Sequence, residues 1–446
     1  MKPSEDLGGF IEESFDTAWR LHGAGRLDEA REQYEVVLAL DAEHAAAMHY
    51  IGILLHQTGR HDEAVACLQA AALRAPDNAD WRNDAGNVLY ALRRYPEAIA
   101  SYQAALAIRP DDAQLWNNCG AALRETGRAE EAQQCCLRAL EAAPDFAPAM
   151  LQLAGLYARA GELMLSSRYE CMAYVLPPHE GKSRELLGTS YYFLGRLEEA
   201  AQLCRRWLEE EPGNPVARHM HAAYAGELTA AAPAGYIEKR FDDYADNFDA
   251  NLVERLGYRG PQVVGDLLNT ALPGAAPVAL DILDAGCGTG LCAPVLAAHA
   301  RRLDGIDLSE NMLRHAAARH AYTHLEKAEA AAWMAGRAGQ YDLVVACDVV
   351  IYCGRLEALF ASVRHALRAG GHVIFTAEAA RDDELDASGG SGSGYLLHPS
   401  GRFRHHAAYI ARCLEDAGFV VLALREESIR MEMGQPVPGL AVLARA

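Results

Sequence analysis

A spacing of 34 residues recurs through the first half of the chain and restricts its possible folds more than any other feature. Small residues keep this spacing six times, at Ala30, Ala64, Ala98, Ala132, Ser166 and Ala200. A second column holds Gly25, Gly59, Arg93, Gly127, Gly161 and Gly195, and a third holds Pro76, Pro110, Pro144, Pro178 and Pro212. A period of this length indicates stacked helical hairpins, because one hairpin alone cannot bury its apolar face.

Each column has a physical role in such a hairpin. Small residues such as Gly52 and Gly86 fall in the first helix and let the second helix approach closely. Glycine breaks the chain between the helices, and proline ends the second one. The columns resemble the tetratricopeptide repeat (TPR) over residues 12–212, with a capping helix after it. We therefore predict a disordered segment at 1–11 and an all-α TPR solenoid at 12–230.

The resemblance also implies a binding groove. First helices line the concave face of such a solenoid, which would place Asn83, Asn87, Asn117 and Arg124 there. Asparagine side chains can bond both the N–H and the C=O groups of an extended peptide. We expect a peptide or protein partner in this groove, although a groove of this kind can also bind nothing specific. The fifth repeat departs most from the pattern, because it carries Ser166 in the alanine column.

Residues 231–446 lose the 34-residue period and alternate apolar runs with helical patterns. The runs are Ala279–Asp284, Arg302–Asp307, Tyr341–Cys347 and His372–Ala377. Alternation of this kind predicts an α/β domain with a doubly wound (Rossmann-like) parallel sheet. Ligands in such sheets bind at the carboxyl ends of the strands.

A glycine-rich stretch, Asp284-Ala285-Gly286-Cys287-Gly288-Thr289-Gly290, follows the first of these strands. Glycines at this point permit a tight turn and let a ligand approach the backbone. The next strand ends in Asp307, 17 residues beyond Gly290, where an acid can accept both hydroxyls of a ribose. Leu291 stands where a dinucleotide-binding loop has its third glycine, which disfavours a dinucleotide oxidoreductase.

These motifs resemble those of class I S-adenosylmethionine-dependent methyltransferases. LDAGCGTG is similar to the first motif of that family and DGIDLSENML to the second. The whole chain resembles a bacterial family of predicted methyltransferases that carry TPR repeats in front. The stretches that carry this second resemblance are FDDYADNFD (Phe241–Asp249), LGYR (Leu256–Arg259) and PSGRF (Pro399–Phe403). The resemblance implies S-adenosylmethionine as the cofactor.

The resemblance also assigns roles to individual residues. Asp284 and the backbone of Gly286, Cys287, Gly288 and Gly290 would hold the amino-acid end of the cofactor. Asp307 would bind its ribose and Glu329 its adenine amine, with packing from Leu308 and Met312. Tyr244 would cover it, and Asp348 would meet its methionine part and the substrate.

Methyl transfer to an amine or a hydroxyl needs a group that takes up a proton. Asp348, directly after the run Tyr341–Cys347, is the first candidate for this catalytic role, and His405 is the second. Arg402, close to His405 in sequence, is a candidate for substrate binding. His405 can equally be a residue at the start of a helix without a catalytic role.

Charge and cysteine content exclude several classes of function. With 41 Lys and Arg against 61 Asp and Glu, the formal charge is −20, which disfavours nucleic-acid binding. Apolar runs are too short to cross a membrane, so we expect no membrane partner. The 11 cysteines are scattered without a CxxC pair, which favours reduced thiols in the cytoplasm and no metal site.

The leading hypothesis is therefore methyl transfer to a peptide or protein that the repeats recruit. A methyltransferase with a small-molecule acceptor, in which the repeats serve only assembly, is the first alternative. A TPR scaffold with a non-catalytic nucleotide fold is the second.

Overall fold

The computed structural model describes residues 3–249, 252, 257–271, 280–387, 392–432 and 434–446. The chain divides into two compact units, residues 1–178 and 179–446. This division lies earlier than the expected domain boundary at 230/231, so the sixth repeat belongs to the second unit. Among the described helices, none is long and apolar enough to cross a membrane.

The first unit consists of ten helices among its described residues, and they form five pairs. In chain order they are α1 (Pro3–Gly23), α2 (Leu27–Leu40), α3 (Ala45–Gln57), α4 (His61–Arg74), α5 (Ala79–Ala91), α6 (Tyr95–Leu106), α7 (Ala113–Glu125), α8 (Ala129–Ala142), α9 (Ala147–Arg159) and α10 (Leu163–Tyr174). Each pair matches one 34-residue period, which confirms the predicted helical repeats. Helix α1 begins at Pro3, inside the segment expected to be disordered; a proline in the first turn followed by acidic residues favours a helix start.

Close packing within the pairs explains the column of small residues. A Cβ atom added at Gly52 would lie 2.7 Å from Leu68 Cγ, and one added at Gly86 would lie 2.5 Å from Tyr102 Cε1. At Gly120 it would lie 3.2 Å from both the carbonyl oxygen of Ala132 and Cys135 Cβ on the paired helix. These approaches are tighter than ordinary van der Waals contact, so a small residue in this column lets the paired helices pack closely.

The turns between paired helices explain the glycine column. Gly25, Gly59, Gly127 and Gly161 have φ between 75° and 84°. Arg93 occupies the same turn in the third repeat with φ of 59°, a region that L side chains adopt at a cost. The turn therefore requires left-handed backbone in every repeat, whatever the residue.

Substituting Arg93→Gly should stabilise the first unit by about 1 kcal/mol, because glycine adopts this backbone without strain. The matched change Gly59→Ala should destabilise it by a similar amount, since a Cβ at Gly59 meets no atom within 4 Å and only the backbone term changes. Thermal unfolding followed by far-ultraviolet circular dichroism measures both. A lower midpoint for Arg93→Gly would contradict the strain argument.

The fifth repeat departs from the others at the start of its second helix. In the five other repeats an arginine just before the second helix pairs with a glutamate three residues later, as in Arg60–Glu63 and Arg128–Glu131. Helix α10 begins instead with Leu163, Met164 and Leu165, and the side chain of Leu163 is 68% exposed. The repeat therefore loses its surface ion pair where it gains exposed apolar side chains.

The second unit begins with the sixth helical pair and one further helix, followed by an α/β sheet. Its helices are α11 (Arg184–Phe193), α12 (Leu197–Glu210), α13 (Pro215–Ala225), α14 (Ala234–Tyr244), α15 (Gly260–Ala271), α16 (Ala293–Ala297), α17 (Glu310–Ala318), α18 (Ala330–Ala335), α19 (Glu357–Ala366), α20 (Asp382–Ala387) and α21 (Ala407–Asp416). Its strands are β1 (Leu280–Ala285), β2 (Ala300–Asp307), β3 (His324–Lys327), β4 (Tyr341–Ala346), β5 (Leu367–Ala379), β6 (Tyr395–Leu397), β7 (Phe403–His405), β8 (Val420–Glu432) and β9 (Gln435–Arg445).

The sheet has the order β3-β2-β1-β4-β5, with parallel pairing between all of these neighbours. The predicted doubly wound parallel sheet is thus confirmed. Strand β9 adds to β5 in antiparallel orientation and carries β8 at its outer side. Chain order reverses between β1 and β4, which is where a ligand binds in sheets of this type.

Apolar side chains of the strands alternate between two core layers. Leu283, Val344 and Phe375 join one layer with helices such as α19 and α21. Ile282, Leu343 and Ile374 join the other layer with α15 and α16. Helices thus cover both faces of the sheet, as its continuous apolar strands require.

Helices α11–α13 pack with the α/β sheet as parts of one unit. His219 of α13 is buried, and its Nε2 atom lies 2.8 Å from the carbonyl oxygen of Gly401. Trp207 and Val216 belong to the same apolar core as the strands. At the surface, Lys239 pairs with Glu185 at 2.9 Å. The last repeat is therefore a structural part of the α/β unit.

Candidate active site

A glycine-rich loop leaves the end of β1 and leads to α16. Gly286 has φ of 72°, and a Cβ atom there would lie 2.3 Å from Val349 Cγ2, so a larger residue does not fit. Gly288 has φ of 53°, and a Cβ there would meet no atom within 4 Å. The loop is therefore packed at its first glycine and open at its second, where a ligand can reach the backbone.

Asp307 closes β2 and faces this loop. Its Oδ2 atom accepts a hydrogen bond from the N–H of Gly288 at 2.9 Å, and its Oδ1 atom accepts one from the N–H of Ser309 at 2.8 Å. Burial raises the pKa of the Asp307 carboxyl, and the backbone hydrogen bonds oppose that rise. Asp307 thus ties the glycine loop to the second strand and keeps its carboxylate in the cavity.

Asp284 lies at the end of β1 and is buried. Its Oδ2 atom accepts a hydrogen bond from the Tyr322 hydroxyl at 2.7 Å. The pKa of Asp284 is raised to about 7, chiefly because the carboxyl is buried. The hydrogen bond from Tyr322 lowers this pKa, and the nearby charge of Asp307 adds to the rise. A carboxyl group in this state changes charge close to neutral pH, and a cation bound beside it would favour the ionised form.

Two acidic residues that precede the sheet in sequence contact the loops that follow β1 and β2. Asp242 accepts a hydrogen bond from the Ser309 hydroxyl at 2.5 Å. Asp249 pairs with the guanidinium group of Arg319 at 2.5 Å and accepts a hydrogen bond from the Thr289 hydroxyl. Arg319 also donates to the carbonyl oxygen of Thr289. These contacts hold the preceding segment against the glycine loop.

Glu329 caps the N-terminus of α18. Its two carboxylate oxygens accept hydrogen bonds from the N–H groups of Ala331 and Ala332, at 3.0 and 2.7 Å. The residue is exposed and lines the cavity. The carboxylate therefore has a structural role as a helix cap and keeps further lone pairs that can accept other hydrogen bonds.

Asp348 follows β4 and has an unusual backbone conformation. Its φ is 57°, in the left-handed region, which is uncommon outside glycine but which aspartate and asparagine adopt more readily than other residues. Thr376 accepts a hydrogen bond from its N–H at 2.8 Å and donates one to Oδ1 at 3.2 Å. Arg430 donates to Oδ2 at 2.9 Å. Three contacts therefore fix the direction of a carboxylate that lines the cavity.

Arg430 connects Asp348 to a buried ionic cluster around Glu378. One Oε atom of Glu378 binds both Arg430 and Arg402, the latter at 2.5 Å, and the other binds Arg404 at 3.3 Å. Burial alone would raise the pKa of Glu378, but the three guanidinium groups together lower it below its usual value. The cluster lies behind Asp348, outside the cavity lining.

These residues surround one cavity with about 1210 Å³ of empty volume, its open mouth included. Its polar lining consists chiefly of four carboxylates with two tyrosines, and its remaining walls are largely apolar and aromatic. The carboxylates belong to Asp284, Asp307, Glu329 and Asp348; the other lining residues include Ile237, Phe241, Phe248, Tyr258, Leu308, Val349 and Tyr352. Cys287 and Gly288 of the glycine-rich loop also line the cavity.

The structure places some predicted site residues elsewhere. Met312 is fully buried in the first turn of α17, and neither it nor Gly290 lines the cavity. His405 is also fully buried, where its Nε2 atom bonds the carbonyl of Gly354 and burial lowers its pKa to about 4. Arg402 is held by Glu378 and Glu432 instead of facing a substrate. Tyr244 ends α14, but its side chain lies outside the described part of the structure.

The predicted groove residues lie on the first helices of the third and fourth repeats. Asn118 donates to the side-chain oxygens of Asn83 and Asn87, at 2.9 and 3.4 Å, so these three amides form one polar row. The side-chain oxygen of Asn117 is buried and has no partner among the described residues. Arg124 pairs with the neighbouring Glu125 at 2.7 Å.

Sequence reasoning missed the residues that hold the acidic side chains in place. Tyr322 on Asp284, Arg319 on Asp249 and Arg430 on Asp348 come from distant parts of the chain. The stretch FDDYADNFD contains two of these acidic residues, Asp242 and Asp249. From the sequence, a role was assigned only to its Tyr244. No comparable motif marks Arg430.

Comparison with known families agrees with this geometry. Residues 283–373 match the model of a methyltransferase domain. Residues 21–83, 113–146 and 172–215 match tetratricopeptide repeat models, and residues 86–127 match a further TPR repeat model. The chain is a methyltransferase-domain protein with N-terminal tetratricopeptide repeats. The methyltransferase model spans the glycine loop, Asp307 and Asp348.

Two curated proteins match parts of the chain. Human methyltransferase-like protein 27 is 42% identical over 86 residues, which are 19% of this chain and 34% of that protein. The biotin biosynthesis bifunctional protein BioCD of Bordetella avium strain 197N is 32% identical over 152 residues, which are 33% of this chain and 31% of that protein. The chain thus spans about a third of the length of each relative.

Two solved structures also match parts of the chain, both at low identity. An S-adenosylmethionine-dependent methyltransferase from Mesorhizobium loti is 23% identical, covers 41% of this chain and 96% of its own, and has a TM-score of 0.31. MamA 41-end from Desulfovibrio magneticus RS-1 is 17% identical, covers 37% of this chain and 94% of its own, and has a TM-score of 0.35.

Proposed function

We propose that this protein transfers a methyl group from S-adenosylmethionine to a peptide or protein that the TPR groove recruits. The observation that carries the proposal is the cavity in which the open glycine loop, Asp284 and Asp307 meet. Such a combination fits a nucleoside that bears a cationic amino-acid tail, because the cavity offers a ribose acceptor, accessible backbone and a buried acid.

The residues present fit the cofactor at each of its parts. Asp307 would accept the ribose hydroxyls, and Asp284 with the backbone of Gly286–Gly288 would hold the ammonium end. Leu308 would pack on the adenine, and Glu329 would accept from its amino group. The sulfonium of the bound cofactor makes its methyl carbon electrophilic: the acceptor forms the new bond and the S–C electron pair returns to sulfur. Asp348 would take up the proton that the acceptor loses.

The TPR groove supports a polypeptide acceptor. Asn117 presents a buried side-chain oxygen with no partner among the described residues, and such a group is costly unless a ligand or water bonds it. The amide row includes Asn118, the neighbour of Asn117 on α7, together with Asn83 and Asn87 on α5. Once a rotation of the Asn117 side chain brings this oxygen to the surface, a peptide N–H is a suitable donor to it. The scattered cysteines, which form no CxxC pair, support a reducing compartment such as the cytoplasm.

Two measurements test this proposal. Calorimetric titration with S-adenosylmethionine should give a saturable heat, and its absence at millimolar cofactor would favour the scaffold alternative. Cell lysate treated with the protein and methyl-labelled cofactor should then carry the label in the macromolecular fraction. Asn117→Ala should lower that labelling without changing cofactor affinity, whereas label confined to small molecules would favour the small-molecule alternative.

A further inference from the structure

The cavity has an acidic, aromatic lining, and this composition restricts the acceptor. Four carboxylates face the cavity, and among the lining residues that the structure describes there is no lysine, arginine or histidine. A phosphate or carboxylate of the acceptor, placed beside Asp348, would have no cationic partner among these lining residues and would be repelled. An acceptor that carries an anion beside its reacting group is therefore disfavoured.

Three of the four carboxylates already have a role. Asp307 accepts two backbone N–H groups, Asp284 accepts the Tyr322 hydroxyl, and Glu329 caps α18. The proposed function assigns the same three to the ribose, the ammonium end and the adenine of the cofactor. Asp348 is the carboxylate that remains for the acceptor.

The surroundings of Asp348 hold it ready to bind a cation. Its contacts to Thr376 and Arg430 lie on the side away from the cavity lining, and its side chain is 21% exposed while that of Arg430 is 5% exposed. The carboxylate keeps further lone pairs for a donor from the cavity. These contacts also hold its backbone in the left-handed region, with φ of 57°.

Aromatic rings line the same cavity. The ring of Phe241 lies edge-on to Phe248 at 5.9 Å and to Tyr352 at 5.7 Å between centroids. Faces of such rings attract ammonium groups. Aromatic walls and one oriented carboxylate are together a site for an alkylammonium ion.

We infer that the acceptor is an amine that arrives as an ammonium ion, and that Asp348 binds it. This inference rests on the proposed methyl transfer. In the reaction, the ammonium first gives one proton to the Asp348 carboxylate. The amine lone pair then forms the new N–C bond while the S–C pair returns to sulfur, and Asp348 releases its proton to water. Hydroxyl and anionic acceptors do not need this carboxylate for binding.

Nucleoside analogues test the inference without a known acceptor. Sinefungin carries an amine where S-adenosylmethionine carries its methyl sulfonium, and S-adenosylhomocysteine carries a neutral thioether there. Calorimetry on the full chain should give at least about tenfold tighter binding of sinefungin, as one charge-assisted hydrogen bond provides. Asp348→Asn, which tolerates the positive φ, should reduce this preference to less than about twofold and leave the affinity for S-adenosylhomocysteine unchanged.

Glu329→Gln is the matched control, because it removes a cavity carboxylate that we assign to the adenine. It should change the affinities for both analogues by the same factor. A sinefungin preference that is absent in the wild type, or that survives in Asp348→Asn, would overturn the inference. Failure of S-adenosylhomocysteine to bind at all would overturn the proposed function as well, so the two failures are distinguishable.

A second titration addresses the acceptor side directly. Protein saturated with S-adenosylhomocysteine should bind n-butylammonium at least about tenfold more tightly than butyrate or 1-butanol at equal ionic strength. Asp348→Asn should remove this difference. Equal or tighter binding of butyrate or 1-butanol to the wild type would overturn the inference.

Discussion

Asp307→Asn should lower the affinity for S-adenosylmethionine by at least about a hundredfold, because a ribose loses two hydrogen bonds to a charged acceptor. The amide cannot accept at both positions, so the N–H of Gly288 or of Ser309 would also lose its partner. Calorimetric titration at neutral pH measures the loss. Far-ultraviolet circular dichroism should show that the helical repeats remain folded.

Asp304→Asn is the control for this change. Asp304 lies on the same strand, is buried and accepts a hydrogen bond from the Tyr341 hydroxyl at 2.9 Å, but it does not line the cavity. Its substitution should reduce stability and leave the affinity for the cofactor within about twofold. Unchanged affinity in Asp307→Asn would contradict the ribose role.

The affinity for S-adenosylmethionine should rise with pH up to about 7, because Asp284 has a pKa of about 7 and must be ionised to bind the ammonium end. Below that pKa the affinity should fall by up to about tenfold per pH unit. Titrations between pH 5.5 and 7.5 measure this dependence. The Asp284→Asn variant should bind S-adenosylmethionine weakly, and its affinity should not depend on pH in this range. An equally steep pH dependence in that variant would mean that another group titrates.

Ionisation of Asp284, which should favour cofactor binding, should lower the stability of the folded protein. Its folded-state pKa is raised above the ordinary value of 3.8, so the folded protein binds the proton more tightly than the unfolded chain does. Asp284 therefore destabilises the folded state least below about pH 4. It destabilises the folded state increasingly as the pH rises to about 7. Asp284→Asn should raise the melting temperature of the second unit at pH 8 relative to the wild type and have a smaller effect at pH 4.

Local periodicity explains why much of the fold could be predicted. The repeat columns and the first, second, fourth and fifth strands depend on residues close in sequence, and observed strands such as β4 begin at the predicted residue, Tyr341. No residue ranges were predicted for strands β3, β6, β7, β8 and β9. Strand β3 is short and mostly exposed, and β8 alternates irregularly, so neither shows the apolar run of a buried strand.

The site was predictable where one loop carries the chemistry and not where distant residues meet. Asp284 and Asp307 end consecutive strands of a parallel sheet, so their positions follow from the strands themselves. Arg430 reaches Asp348 from 82 positions further along the chain, through a strand that the sequence did not reveal. His405 illustrates the reverse, because closeness to a family motif gave it a catalytic role while the fold buries it against Gly354.

The packing of α11–α13 with the sheet affects how this protein can be dissected. A truncation that starts at residue 231 would remove Trp207 and Val216 from the shared core and leave the carbonyl of Gly401 without His219. The resulting polypeptide would expose a large apolar surface and tend to aggregate. Cleavage between residues 178 and 179 follows the division of the molecule itself, so the shortest fragment to express with the α/β sheet would retain the sixth repeat.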